Sequence, residues 1–110
     1  MEAGKLWHEI AIQERLDTRD TYGASVKNFQ TAFNTYAELK NLSGSELIQA
    51  QQINSRITTQ FKIRWNEELR ATHRIKYKNR FYGILWINNV DERDKEMILL
   101  CERLEDVTNG

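Results

Sequence analysis

Ile57-Thr58-Thr59-Gln60-Phe61-Lys62-Ile63-Arg64-Trp65 decides the fold. Ile57, Thr59, Phe61, Ile63 and Trp65 share one parity, and Thr58, Gln60, Lys62 and Arg64 share the other. Successive side chains of a strand point to opposite faces, so this pattern predicts a strand with one face on a core. Asn66, Glu67 and Glu68 end it.

Just before it, Leu42-Ser43-Gly44-Ser45-Glu46-Leu47-Ile48-Gln49-Ala50-Gln51-Gln52-Ile53-Asn54-Ser55 carries the only convincing helix signal. Ser43 and Glu46 have capping-box spacing, and Leu42 and Leu47 stand where a hydrophobic staple packs. The start is well written but the body is weak. About ten residues is short for a helix in water, and Leu47, Ile48, Ala50 and Ile53 form only a thin apolar stripe. Such a segment lies on a sheet or waits for a partner.

After the strand, residues 67–72 form a charged connection with room for one helical turn. A hairpin follows. Ile75 and Tyr77 alternate with Arg74, Lys76 and Lys78, Asn79 supplies the turn, and residues 81–87 return. Ile84-Leu85-Trp86-Ile87 is apolar on both faces, which predicts a strand covered on both sides, with Tyr77 and Trp86 in the core. Residues 88–91 turn again, Met97 to Leu104 form the last strand, and residues 107–110 are expected to fray.

Before the helix, residues 6–14 read as a first strand with Leu6, His8, Ile10 and Ile12 on one parity. His8 is expected at the core face with one satisfied hydrogen bond, since no carboxylate motif joins it to His73. Residues 17–25 form a polar loop with Gly23 at its turn, and both a partner contact and a plain connector suit it. Between Val26 and Leu39, Phe29, Phe33, Tyr36 and Ala37 fit a helix, while Phe33, Thr35, Ala37 and Leu39 fit a strand. Missing caps and the β-formers Thr, Phe, Tyr and Val favour a long strand, bent or broken near Asn34. The whole reads as mainly β: a small antiparallel β-barrel of about six strands with one short helix, partly or fully closed to hide its edges.

The 110 residues make one domain with one core. No apolar run approaches the ~20 residues of a membrane helix, and Met1-Glu2-Ala3-Gly4-Lys5 lacks a signal-peptide core. A single cysteine, Cys101, excludes an internal disulfide and a multi-cysteine zinc site, and suits a small buried strand residue. Formal charge is zero, but residues 62–80 carry +5 and residues 81–110 carry −4. A basic block beside an acidic tail suits pairing within the chain or between subunits. Proline is absent, so Gly, Asn, Asp and Ser make the turns.

No phosphate-binding glycine loop, nucleophile elbow or histidine pair at metal spacing is present. Asp17 with Asp20, and Asp91 with Asp94, lie in charged loops and read as solvated surface. An enzyme is not expected, nor a cofactor, metal or small-molecule substrate. Function must come from surface and assembly. Arg74, Lys76, Lys78 and Arg80 are spaced by two and line one strand face, which Lys62 and Arg64 join if they lie on a neighbouring strand. That strip is either the solvated side of a hairpin or a positive surface for DNA phosphates or an acidic partner.

Several stretches, in order, carry a resemblance: Ala3-Gly4-Lys5-Leu6 with Ile10-Ala11-Ile12-Gln13, Thr18-Arg19-Asp20-Thr21-Tyr22-Gly23, and Tyr36-Ala37-Glu38-Leu39. Leu42-Ser43-Gly44-Ser45-Glu46, Ala50-Gln51-Gln52, Arg74 to Tyr82, and Leu100-Cys101-Glu102 complete it. Together they resemble the head–tail joining (head completion, or stopper) proteins of phages and prophages with non-contractile tails, from about residue 3 to about residue 104. Phe29 and Tyr36 stand where that family has tryptophan, and Asn79 where it has glycine.

The resemblance implies a β-barrel with a short helix, monomeric when isolated, that joins a homo-oligomeric ring matched to a twelvefold portal. It implies the adaptor ring, a tail completion or tail tube protein and packaged double-stranded DNA as partners, with no membrane. The place implied is the virion head–tail interface, reached from the host cytoplasm. The family's candidate channel gate maps to residues 42–56, with Leu42, Ser43, Gly44, Ser45, Glu46, Leu47, Gln49, Gln51, Gln52, Asn54 and Arg56 as its expected residues. The loop Asp17, Thr18, Arg19, Asp20, Thr21, Tyr22 and Gly23 is an expected partner contact. An oligonucleotide-binding barrel is the alternative, since it also combines short strands with basic and aromatic residues.

Overall fold

The computed structural model describes residues 7–19 and 25–104. Six strands, β1 (His8–Arg19), β2 (Ser25–Asn41), β3 (Thr59–Arg64), β4 (Arg74–Tyr77), β5 (Arg80–Asn89) and β6 (Glu96–Leu104), close into a barrel. Its order is β1-β2-β3-β6-β5-β4, and every neighbouring pair is antiparallel. The single α-helix, α1 (Gly44–Ile53), links β2 to β3. The expected mainly-β barrel with one short helix is what the chain forms.

The alternation of β3 holds. Thr59, Phe61 and Ile63 are buried, and Gln60, Lys62 and Arg64 face outward. Phe61 stacks edge-on to Tyr82 at 4.9 Å within a core that also takes in Ile10, Ile12, Ile75, Leu99 and Cys101. His8 is half-buried and hydrogen-bonds the Tyr77 hydroxyl at 2.9 Å, the satisfied strand-end histidine the sequence suggested. Cys101 is fully buried, and burial pushes its thiol pKa far up, which leaves it an inert core residue.

The first hairpin departs from expectation. β1 and β2 stay paired to Arg19 opposite Ser25, so the polar loop is much shorter than 17–25. β2 is unbroken. Its irregularity lies at Ala32, an extra residue between Thr31 (opposite Gln13) and Phe33 (opposite Ile12). That bulge restores inward parity to Phe33, Ala37 and Leu39, while Tyr36 turns outward. β1 pairs with β4 only at 11–13, and β2 with β3 only at 37–41. The paired residues 14–19 and 25–30 therefore form a two-stranded arm of about 20 Å. The molecule measures 52 × 26 × 26 Å.

Two bulged or turned positions shift other expectations. Ile84 opposes Cys101 while Trp86 opposes Leu100, which leaves Leu85 as the extra residue of β5. Ile84 and Ile87 then face the core, and Leu85 and Trp86 both turn out. Leu85 is covered, but Trp86 is exposed, so the expectation of a core tryptophan fails. In the β4–β5 turn it is Lys78, not Asn79, that adopts positive φ, at 56°. The connection before β4 contains turns rather than a helix, and it drives Leu69 into the core.

Candidate functional site

Strand direction sorts the features to two ends. β1 runs from the end where β2 passes into α1 toward the end where the arm leaves. The arm, the 65–73 connection and the 90–95 turn share one end, and the start of β1, the α1 connections and the Lys78-Asn79 turn share the other.

α1 folds back over the outer face of β6 and β5. Leu42, Ala50, Ile57 and Leu100 form a small core of their own, with Leu47, Leu85 and Ile98 against it. Leu42 and Leu47, the expected staple pair, both join this cluster. Ile57 belongs to this outer cluster rather than to the barrel, because β3 begins only at Thr59. Of the expected stripe, only Leu47 and Ala50 face the barrel, while Ile48 and Ile53 are 64% and 49% exposed.

The capping box is absent. Ser43 sits in extended backbone and makes no side-chain cap bond. Gly44 follows at φ 57°, left-handed, so the first-turn amides do not converge on the Ser43 hydroxyl. Glu46 instead receives Lys40 Nζ at 2.6 Å, an ion pair that ties the helix start to β2. At the far end Arg56 meets Glu102 of β6 at 3.2 Å, and Gln51 Nε2 donates to the Ile57 carbonyl at 3.1 Å. The Asn54 amide closes the helix by donating to the Ala50 carbonyl, and its Oδ1 accepts the Arg56 amide at 2.9 Å. Ser45, Gln49 and Gln52 are exposed. Residues 42–56 are therefore fastened by a seven-residue apolar cluster and two surface ion pairs. Each such pair is worth at most about 1 kcal/mol. Beside α1 lies a recess of about 210 Å³ floored by Leu42, Ala50 and Leu100.

The basic strip divides. β3 and β4 are three steps apart in a ring of six strands, so Lys62 and Arg64 lie across the barrel from Arg74, Lys76 and Lys78. Lys62 pairs with Glu96 at 3.5 Å, one bond between the basic block and the acidic tail. Arg74 is not a free surface charge. Its guanidinium lies 3.6 Å from the Phe29 ring centre and 4.3 Å from that of Phe81, and its Nε donates to Gln13 Oε1 at 2.7 Å. Burial lowers its pKa from the usual value. The stack pins the base of the arm to the β4–β5 hairpin. Lys76, Lys78 and Arg80 remain exposed.

Of the expected contact loop, Asp17, Thr18 and Arg19 take register positions in β1. Asp20, Thr21, Tyr22 and Gly23 lie outside the described residues, as do Ala3 to Leu6 and the tail 107–110. The sequence reading missed a cleft of about 380 Å³ lined by Trp7, Thr35, Tyr36 and Arg64 on the β1–β2–β3 face. The outward parity of Tyr36 against Ala37 was its available signal. Among the described residues no group of His, Cys, Asp and Glu is arranged to hold a metal ion, and no helix is long and apolar enough to cross a membrane.

The described residues thus form a closed barrel with a lightly held helix, a projecting two-stranded arm and exposed aromatics. The chain belongs to the phage head completion protein family, whose model matches residues 1–104. It is thus a structural protein of virion assembly. No curated protein matches it. Its fold is shared by solved structures, among them these two. One is the solution structure of protein SF1141 from Shigella flexneri 2a, at TM-score 0.75 and 24% identity, covering 94% of this chain and 96% of that one. The other belongs to the virion of a native gene transfer agent particle, at TM-score 0.58 and 15% identity, covering 88% of this chain and 94% of that one.

Proposed function

We propose that the chain joins a ring below the portal and adaptor of the phage head, retains the packaged DNA and offers the tail its docking surface. The observation that carries this reading is the family match over nearly the whole barrel. The ring, of about twelve subunits by resemblance, forms in the virion from monomers made in the host cytoplasm. Residues 42–56 are the gating segment. Their light fastening supports this role, because contacts between neighbouring subunits can outweigh a small apolar cluster and two surface pairs. Most of the outward side chains, Ser45, Gln49 and Gln52 among them, are polar and uncharged, which suits a lining that blocks DNA without gripping its phosphates. Of the basic residues, Lys76, Lys78 and Arg80 are the set available to DNA or an acidic partner, and residues 17–23 contact the adaptor or tail protein.

The oligonucleotide-binding alternative needs stacking platforms beside the basic residues. Tyr77 and Tyr82 are buried and Phe81 is covered by Arg74, so the end of the hairpin that carries Lys76, Lys78 and Arg80 offers none; the exposed Trp86 stands further along β5.

Heads assembled without this protein test the proposal. They are expected to fill with DNA, lose it and remain tailless, with both defects reversed by adding the purified protein. Heads that hold their DNA and accept tails without it sink the connector role. Tight, salt-sensitive binding of single strands by the isolated monomer would favour the oligonucleotide reading.

A further inference from the structure

Ala11 puts a single methyl between two longer side chains, Asn34 of β2 and Lys76 of β4, its direct cross-strand neighbours. A trough of about 350 Å³ results, running along the outer face of β1. Thr31 and Asn34 wall it on the β2 side, and Lys76 and Lys78 on the β4 side. Glu9 and Gln13 stand on its floor at either side of Ala11. The flanking strands are two spacings apart, about 10 Å, and the floor from Glu9 to Gln13 is about 14 Å long. That space admits an extended chain of about four residues.

The polar groups of the trough are unspent. Glu9, Lys76 and Lys78 are exposed, and none of them forms an ion pair. Lys40 and Lys62, by contrast, are tied to Glu46 and Glu96. Gln13 Oε1 accepts Arg74 Nε at 2.7 Å, which orients the amide and leaves its Nε2 as a donor.

We propose that this trough receives an extended acidic segment of another virion protein, with carboxylates two residues apart seated on Lys76 and Lys78. The inference rests on the assembly role, deepens the reading of those two lysines, and needs no ring. Residues i and i+2 of an extended segment stand about 7 Å apart, as do positions 76 and 78. Glu9 decides between a protein segment and nucleic acid. A DNA backbone brings phosphates that this carboxylate repels and no donor to offer it, whereas each peptide N–H can donate to it. The zero formal charge of the chain also gives no long-range pull on a polyanion.

Peptide binding by the isolated full-length protein, followed through its amide shifts in NMR, tests the proposal. Two blocked octapeptides of one composition are the probes, four repeats of Glu-Ser and two of Glu-Glu-Ser-Ser. Only the first holds carboxylates two residues apart. It is expected to bind about tenfold tighter than the second and to shift residues 9–13, 31–34 and 74–78. The double variant Lys76→Ser, Lys78→Ser should lose that preference, while Lys95→Ser on the 90–95 turn should bind as the parent does. Equal affinity for the two peptides, shifts centred elsewhere, or no binding at millimolar concentration would overturn the proposal. So would tighter binding of an eight-nucleotide thymidine strand, which would give the trough to nucleic acid. In particles, the double variant Lys76→Glu, Lys78→Glu is expected to be incorporated about tenfold less, with the thermal midpoint of the monomer unchanged. Full incorporation of that variant counts against the trough. Absence of the parent protein from particles would sink the assembly role, whereas failure of the peptide preference alone would sink only this inference.

Discussion

Leu99 and Leu100 are adjacent in β6 and point to opposite faces. Leu99 is fully buried in the barrel, and Leu100 is buried in the outer cluster beneath α1. Replacing Leu100 by alanine removes three carbons, about 2.4 kcal/mol at the usual value per buried methylene. The recess of about 210 Å³ beside it is already open, so the site collapses or wets easily and little cavity penalty is added. A loss of about 2–3 kcal/mol is therefore expected. It falls on a ten-residue helix held mainly by Leu42, Leu47 and Ala50, two surface ion pairs and the Gln51 hydrogen bond to the Ile57 carbonyl. Such a helix does not persist once undocked. Hydrogen exchange of Leu100→Ala should then show protection of the 47–54 amides lowered about 30- to 150-fold, with β3 and β6 unchanged. Leu99→Ala, by contrast, should lower protection everywhere and cost about 3–5 kcal/mol in denaturant melts. Uniform loss across α1, β3 and β6 in Leu100→Ala would mean one cooperative unit, and the reasoning from two separate clusters would be wrong.

Ser43→Ala should change stability by less than about 0.5 kcal/mol, below the ~1 kcal/mol of a working cap, because its hydroxyl makes no cap bond. Gly44→Ala should cost about 1 kcal/mol or more in the same thermal melts, since alanine is strained at φ 57°. Lys78→Gly should raise stability by a few tenths to about 1 kcal/mol by relieving a left-handed lysine, while Asn79→Gly brings no such gain; the reverse order would move the turn's positive φ to Asn79. His73 has its pKa lowered from 6.5, first by burial and then by nearby Arg70, against an opposing pull from Glu14. The unfolded chain therefore binds the proton first as pH falls through 6.5, and stability should decline below that value. The decline should be shallower in His73→Gln, and parallel pH profiles of the two melts would exclude this source.

The strands were legible wherever one face is wet and the other dry. β3, β4 and β6 keep the parity written in Phe61 and Ile63, Ile75 and Tyr77, and Met97 and Leu99. Legibility failed at bulges. One extra residue reverses parity and bends its strand, so the irregularity expected near Asn34 is the Ala32 bulge of an unbroken β2, while Leu85 disguised an outward Trp86 as a core residue. Glu46 was misread for a different reason. Its spacing from Ser43 suits a cap, but a lysine six residues away in sequence competes for the same carboxylate.

The amino-acid sequence by itself determined the approximate strand count, the one helix and the family, because these depend on local alternation and on residues in order along the chain. Tertiary structure alone decided which surfaces exist. Closure in the order β1-β2-β3-β6-β5-β4 set Lys62 and Arg64 across the barrel from Lys76 and Lys78, laid Arg74 against Phe29 and Phe81, and placed Tyr36 opposite Trp86. Strand neighbours far apart in sequence are chosen by the closing of the sheet, and no local pattern encodes that choice.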